Sequence, residues 1–379
     1  MNRPLNILLV GLTKDNNLGD PIIAESVEYA IRKFYPYANI EYACLDEFDH
    51  KGIFWIRVLS KLQRMYNIPP FKTLNLLYKR YFKKILKNKD IGILTGGGLI
   101  KYKNQFFNGI TGLIEAAEDL GVPIAINSVG VEGYDATNKK CLALKKVLKS
   151  HAVKYVSTRD DLTTLIEKYY DHRPEIPVIG TADPAILVSE EYDKSQSVKN
   201  SIGIGVCRFS IFEEYGCSQS ADEIHDLYLN TILRLIERGN SIELFTNGGQ
   251  SDNVYAKALQ EELASKGYDI SLKIPKTSEE LVKIISLFSQ IIAVRMHACI
   301  LAYSLGIPTV GLVWNDKLQF WAQKTEQSKN FLRENDITVE KIIECIDSTG
   351  DFKSTTQPLR TSLQNDFICN IKEILNIVK

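Results

Sequence analysis

The residues best equipped for chemistry lie in the stretch IIAVRMHACILAYSLGIPTVGLVWNDK, Ile291–Lys317. A β-branched run ends at Val294, Arg295-Met296-His297 follow, and an apolar helical pattern begins. A strand ending there leaves Arg295 and His297 beside the unsatisfied N–H groups of a helix N-terminus, which favour an anion. Arginine can grip a phosphate or carboxylate through two parallel hydrogen bonds, and histidine can exchange a proton near neutral pH. A histidine met singly is more often a structural residue; its pairing with Arg295 at a strand–helix junction points to function. Lys317, after the next strand, would add a second cation from an adjacent loop, although alone it reads as a surface lysine.

Three further loops have the composition of ligand-facing turns. In GLTKDNNLGDPII, Gly11–Ile23, Gly19 permits a tight turn and Asp20 suits a helix N-cap, with Pro21 at the first helical position. The functional reading has Asn17 or Asp20 accepting a hydrogen bond from a substrate hydroxyl. In ILTGGGLI, Ile93–Ile100, Gly96, Gly97 and Gly98 let the backbone approach a ligand or turn without Cβ clashes. The run is neither GxGxxG nor a P-loop, which argues against a mononucleotide phosphate. In STRDDLTTL, Ser157–Leu165, Arg159 is a cation at a helix start, disfavoured there unless an anion joins it. An internal salt bridge to Asp183 is the competing explanation.

Positioning these loops requires alternating strands and helices, and the hydrophobic pattern supplies them. Short β-branched runs at 6–11, 40–45, 91–95, 123–129, 155–158 and 178–181 alternate with helical segments at 21–34, 106–120, 138–150 and 161–169. A second series has strands at 201–207, 241–246, 270–274, 291–294 and 309–313. Its helices fall at 222–238, 253–266, 278–288, 298–305 and 339–345, and a last helical pattern covers 363–378. The polar stretch SEEYDKSQSVKNS, 189–201, divides the two series. The expected fold class is therefore α/β, two Rossmann-like domains facing a central cleft. The expected domains are 1–188, which carries the basic insertion 51–89, then 201–350, and a C-terminal helix within 351–379 packing back on the first domain.

Forty-six basic residues balance 46 acidic ones in 379 residues, which argues against a dedicated nucleic-acid binder. The balance conceals a local excess. Residues 51–89 hold eleven basic residues and no acidic one, so 35 basic residues face 46 acidic ones elsewhere. Phe54, Trp55, Tyr66, Phe71, Tyr78, Tyr81 and Phe82 are interleaved with those cations. One reading is a solvated face whose aromatics enter the core. A second is docking to an anionic membrane surface or a phosphate-bearing, lipid-linked acceptor, and a third is binding of an acidic polymer. Seven cysteines without CxxC or CxxH spacing imply neither a disulfide framework nor a metal site and suit a reducing cytoplasm. No apolar run approaches the length needed to span a bilayer, so the expectation is a cytoplasmic protein, peripheral at most to the inner face of the membrane.

With these loops assembled, the chain resembles the polysaccharide pyruvyl transferase family. The resemblance runs from about residue 6 to 321. It rests on N-L-G-D at 17–20, G-G-G-L-I at 96–100, R-D at 159–160, D-P-A at 183–185 and R-M-H-A-C-I-L-A-Y-S-L-G-I-P at 295–308, the last being the most specific. Pro21 departs from the acidic or small polar residue many relatives carry there. The resemblance implies a GT-B-like fold and transfer of an enolpyruvyl-derived group from phosphoenolpyruvate, a co-substrate, onto a sugar diol of a polysaccharide or its lipid-linked precursor. A pyruvate ketal forms and phosphate leaves, with no cofactor and no metal. It implies donor binding by Arg159, Arg295, Met296 and His297, catalysis by His297 assisted by Lys317, and an acceptor side formed by Asn17, Asp20 and Gly96–Gly98. Two other functions share the architecture: a nucleotide-sugar glycosyltransferase, whose diphosphate pocket would have to lie near FTNGGQSDN at 245–253, and a non-catalytic sugar- or phosphate-binding protein.

Overall fold

The computed structural model describes residues 3–12, 17–45, 70–101, 106–192, 201–348 and 350–379. Twelve strands form two parallel six-stranded sheets. The first contains β1 (Asn6–Gly11), β2 (Asn39–Cys44), β3 (Ile91–Thr95), β4 (Ile124–Val129), β5 (Val153–Thr158) and β6 (Val178–Gly180), ordered β2-β1-β3-β4-β5-β6. The second contains β7 (Ser201–Gly205), β8 (Ser241–Phe245), β9 (Ser271–Lys273), β10 (Gln290–Ala293), β11 (Thr309–Val313) and β12 (Phe331–Arg333), ordered β12-β11-β10-β7-β8-β9. Every residue of β3, β4, β7 and β11 is buried. Such strands read as continuous apolar runs because helices cover both faces of a parallel sheet.

Helices of the first series are α1 (Gly19–Phe34), α2 (Pro70–Leu86), α3 (Phe106–Leu120) and α4 (Lys139–Leu148). The second series has α5 (Ala221–Glu237), α6 (Gln250–Ser265), α7 (Ser278–Ser286), α8 (Met296–Leu305), α9 (Asp316–Lys324) and α10 (Val339–Asp347). The long α11 (Phe352–Asn376) ends the chain. Leu8, Val10, Leu94, Ile124, Ile126 and Val156 share one apolar cluster with Tyr78, Phe82 and Leu86 of α2, with α3, and with Leu144 and Leu148 of α4. Helices α2, α3 and α4 thus cover the same face of the first sheet.

The chain divides into two compact units. One comprises residues 23–184 with the N-terminal strand and the stretch from Asp366 onward; the other runs from Ala185 to Asn365 and also takes in residues 17–22. The chain thus contributes short pieces of itself to the unit it does not otherwise belong to. In the first unit the end of α11 is held by buried polar groups. Asn370 Nδ2 donates to Asn127 Oδ1 at 2.7 Å, Tyr155 Oη donates to Asn370 Oδ1 at 3.1 Å, and Asn127 Nδ2 donates to Thr95 Oγ1 at 3.3 Å. This ties α11 to β3, β4 and β5. Burial lifts the Tyr155 phenol to about 12, with Glu373 and Asp366 adding to the shift, so the hydroxyl stays a neutral donor. Asn370→Ala would strand two buried groups, each costing about 1–3 kcal/mol. The expected loss is roughly 2–6 kcal/mol, read from the denaturation midpoint at unchanged m-value.

The helix expected at 161–169 is a short α-helical turn, Leu162–Thr164, continued by a π-helical turn, Leu165–Tyr169, and other elements also differ from the sequence expectation. The edge strand β12 is only three residues long and pairs with β11; a run that short carries no alternation signal. Helix α9 opens on Asn315, whose side chain accepts from Leu318 N–H at 3.2 Å, but its polar composition hides the apolar stripe of Leu318, Trp321 and Ala322. Helix α11 begins at Phe352, eleven residues before the apolar pattern does, and contains Pro358. Tertiary hydrogen bonds compensate for the proline: Arg360 Nη1 donates to the Tyr303 carbonyl at 3.3 Å and Gln364 Nε2 to the Ile186 carbonyl at 3.1 Å. No helix among the described residues is long and apolar enough to cross a membrane.

Candidate functional site

The strand order of the second sheet reverses between β7 and β10, its first and fourth strands in the chain. In an open parallel sheet, loops leaving the carboxyl ends of strands diverge at such a point and leave a crevice for ligands. The loop after β10 carries Arg295 as the N-cap of α8, with φ −80° and ψ 124°, and no side chain caps the helix there. Met296 is the first helical residue and His297 the second. The expected strand–turn–helix geometry for the Arg-Met-His run is thus present. The loop after β7 carries Cys207 and Arg208, so Arg208 and Arg295 leave neighbouring strands at the point of reversal.

Arg295 is gripped by a carboxylate. Its Nε donates to Asp252 Oδ2 at 2.8 Å and its Nη2 to Asp252 Oδ1 at 2.7 Å. The Arg208 backbone N–H donates to the same Oδ1 at 3.1 Å. Asp252, in the first turn of α6, is 1 % exposed, and binds together the loops after β8, β7 and β10. Burial works against the Arg295 charge, but the hydrogen bonds from Asp252 outweigh it and raise the guanidinium pKa. The Nε/Nη2 edge of Arg295 is spent on Asp252, so the two-pronged grip on a ligand that the sequence suggested would use the other edge, Nη1 with the second N–H of Nη2.

Arg208 mirrors this arrangement at a wetter position. Its Nε and Nη2 donate to Glu214 Oε2 at 3.2 and 2.6 Å, and Ser210 Oγ donates to Glu214 Oε1 at 2.6 Å. Those bonds hold the Glu214 carboxyl down at about 2. Glu214 is 45 % exposed where Asp252 is 1 % exposed, so an incoming anion can replace the first far more readily than the second. Burial pushes the thiol of Cys207, next to Arg208 in the chain, up to about 12.

His297 is 7 % exposed and lies against Gly19. A Cβ built on Gly19 would fall 2.1 Å from His297 Nδ1 and 2.4 Å from its Cγ. Leu18 N–H donates to the Asn247 carbonyl at 3.0 Å and pins this loop to the one after β8. Gly19 is therefore needed for close approach, whereas the sequence suggested a tight turn; no left-handed φ occurs there. Asp20 is also re-placed. Helix α1 begins at Gly19, so Asp20 lies inside its first turn and is no N-cap, and Asn17 Nδ2 donates to Asp20 Oδ2 at 3.4 Å. Both residues group with the second unit, beside His297, although the sequence assigned them to the first domain. Gly19→Ala should displace the imidazole or the loop by about an ångström. A misplacement of that size is worth on the order of 10²-fold in turnover, to be checked by steady-state kinetics on a folded variant.

The remaining predicted residues divide between the units. Lys317, half-buried, sits in the first turn of α9, after β11, the strand beside β10. Arg159 lies in the first unit, where its Nη1 donates to Asp183 Oδ2 and both side chains are at most 2 % exposed. This is the internal salt bridge that the sequence held open against a donor-binding role. Gly96, Gly97 and Gly98 follow β3 in the same unit; a Cβ on Gly96 would meet the Leu99 side chain at 3.4 Å. Gly130 N–H donates to the Gly97 carbonyl at 2.8 Å, and a Cβ on Gly130 would meet the Gly98 Cα at 3.1 Å and Asp160 Oδ2 at 2.9 Å. Asp160 Oδ1 in turn accepts from Val131 N–H at 2.8 Å. The glycine run and the Arg-Asp pair thus brace each other.

Sequence reasoning missed Arg208, Glu214 and Asp252. The signal for Arg208 was available, since it follows β7 as Arg295 follows β10. Asp252 lay within the 245–253 loop considered for a diphosphate, but nothing local paired it with an arginine 43 residues away.

The sequence model of the polysaccharide pyruvyl transferase family matches residues 17–316. Solved structures share the fold at low identity. A UDP-GlcNAc 2-epimerase from Neisseria meningitidis, bound to UDP-GlcNAc, is 13 % identical over 99 % of each chain with a TM-score of 0.60. A glycosyltransferase from Rickettsia africae is 14 % identical over 100 % of this chain and 98 % of its own, TM-score 0.55. MurG from Acinetobacter baumannii is 15 % identical over 99 % and 100 %, TM-score 0.50. No curated protein matched the chain. The structural likenesses speak to the two-domain, GT-B-type Rossmann-like fold alone.

Proposed function

The chain belongs to the polysaccharide pyruvyl transferase family, and from that premise we propose that it moves the enolpyruvyl-derived group of phosphoenolpyruvate onto two hydroxyls of a sugar in a polysaccharide or its lipid-linked precursor. The observation that carries the proposal is the convergence of Arg295, His297 and Arg208 at the carboxyl ends of β10 and β7, where the strand order reverses. Phosphoenolpyruvate brings a carboxylate and a phosphate, and two arginines with an open helix N-terminus answer that charge. Arg295 is held in place by Asp252; Arg208 exchanges Glu214 for the donor. Lys317 is the assisting cation from the next loop.

In the reaction, His297 gives its proton to the methylene carbon of phosphoenolpyruvate. The carbon bearing the phosphate becomes electrophilic and a sugar hydroxyl adds to it, releasing its own proton. The C–O bond to phosphate then breaks and the second hydroxyl closes the ketal. Of the two hydroxyl protons, one returns His297 to its acid form and the other leaves with phosphate. Asn17 and Asp20, on the loop that lies against His297, are acceptor-side residues in this reading. Arg159 acts at one remove, ordering its loop through Asp183.

The test offers phosphoenolpyruvate, and separately nucleotide sugars, with a panel of saccharide acceptors. Acceptor-dependent phosphate release, with a product heavier by pyruvate less water, is the expected result. Release of a nucleoside diphosphate would replace the proposal with glycosyl transfer, and binding without turnover would replace it with a sensor.

A further inference from the structure

The basic excess at 51–89 is continued by a second acid-free segment. Residues 139–154 contain six lysines (139, 140, 145, 146, 149, 154) and no aspartate or glutamate. Residues 51–69 lie outside the described residues, but α2 and α4 carry the rest, and both pack on the same face of the first sheet. Their apolar sides are spent there: Tyr78 and Phe82 of α2 are fully buried, as are Cys141, Leu144 and Leu148 of α4. The interleaved aromatics of the described part of this segment therefore belong to the core. The outward side of α2 shows Leu76, Arg80, Lys83 and Lys84, with Lys87 just beyond its end. The outward side of α4 shows Lys139, Leu142 and Lys146, with Lys149 just beyond its end. Leu76 and Leu142 are 49 % and 45 % exposed; Leu142 lies within its row of cations and Leu76 one turn before Arg80.

Carboxylates also reach this surface: Glu118 of α3 faces His151, while two others are outnumbered by lysines. Asp119 is shared by Lys79 and Lys83, and Asp171 by Lys145 and Lys149. Arg80, Lys84, Lys87, Lys139, Lys140 and Lys146 are exposed and stand outside these pairs. At the rim of the layer a cavity of ≈ 370 Å³ is lined by Lys149, His151, Lys154 and Arg173, with Glu175 as a carboxylate in its wall.

We propose that the outward faces of α2 and α4 form a docking surface for a membrane rich in anionic phospholipid, with the rim cavity receiving a phosphate headgroup. Lysines drawn to a negative leaflet together with leucines that enter the interface fit this partner. A single-stranded nucleic acid would need exposed aromatic rings for base stacking, and in the described part of α2 Tyr78 and Phe82 are turned inward. The proposal is independent of the chemistry assigned to Arg295 and His297, and its test reads no enzymatic activity.

The test is co-sedimentation of the full chain with vesicles of phosphatidylcholine containing increasing phosphatidylglycerol. Binding should rise with phosphatidylglycerol and weaken with added salt. Reversing Lys84, Lys87, Lys139 and Lys146 to glutamate should lower partitioning on the order of 10²-fold or more. Glutamines at the same positions give a smaller loss and guard against misfolding of the reversed variant. Lys257→Glu with Lys276→Glu, on exposed positions of the second unit, should leave binding unchanged. Binding indifferent to lipid charge, or undiminished in both four-site variants, would overturn the proposal. So would retention of an acidic polysaccharide or nucleic acid without vesicle binding.

Discussion

Replacing His297 by alanine is expected to lower turnover about 10²- to 10⁴-fold, the range supplied by a positioned general acid, while the KM for phosphoenolpyruvate changes little. In the proposed mechanism Arg295, Arg208 and the N-terminus of α8 would carry the donor's charge and survive the substitution. His297 would act only once the methylene carbon begins to accept a proton, so its loss should fall on kcat. A bound donor carrying a carboxylate and a phosphate favours an imidazolium at His297. Donor binding should therefore raise its pKa, visible in an NMR titration with and without phosphoenolpyruvate. The sign of the pH dependence follows. A general acid works in its protonated form, so activity falls as pH rises through the pKa in the complex, and that basic limb should vanish in His297→Ala. A mutant that kept near-normal turnover would remove His297 from the chemistry, whereas one that lost donor affinity at constant kcat would make it a binding residue.

How much of this was legible in the sequence depends on the range of the interaction. The strand ending at Val294 and the Arg-Met-His turn opening a helix were readable because the change from a β-branched run to an apolar helix is local. Most strands were readable for the same reason, as buried parallel strands leave continuous apolar runs. The partners of the charged residues were not. Asp252 and Arg295 come together only because β8, β7 and β10 lie side by side, an order no local pattern states. Arg159 had two readings in the sequence, and the one found in the structure, the pair with Asp183, depends on where β6 ends. Residues 17–22 show the same limit: a Gly-Asp pair before a helix looks like a cap, yet Gly19 is set by the imidazole of a residue 278 positions later. The basic segment was legible as charge, but its continuation on α4 emerges only when the shared apolar cluster brings both helices to one face.

The buried pair of Asp252 and Arg295 allows stability to be separated from donor binding. Asp252→Leu would leave the Arg295 guanidinium, 20 % exposed, without its carboxylate. Breaking such a pair from one side costs about 3–5 kcal/mol, because the surviving charge is left uncompensated. The Arg208 backbone N–H would lose its acceptor as well. The midpoint of denaturation should therefore fall steeply and turnover with it. Adding Arg295→Met to Asp252→Leu removes the stranded charge and fills the space with apolar atoms, a replacement that is often neutral or stabilising. The double variant should regain most of the lost stability, giving a coupling energy of several kcal/mol in a double-mutant cycle. It should not regain activity, since one of the two arginines facing the donor is gone and phosphoenolpyruvate affinity falls with it. If the double variant recovered both, Arg295 would be a structural partner of Asp252 and nothing more. If it recovered neither, Asp252 would matter chiefly for holding the loop after β7 through Arg208, and the measurement to follow would be donor affinity in Arg208→Gln.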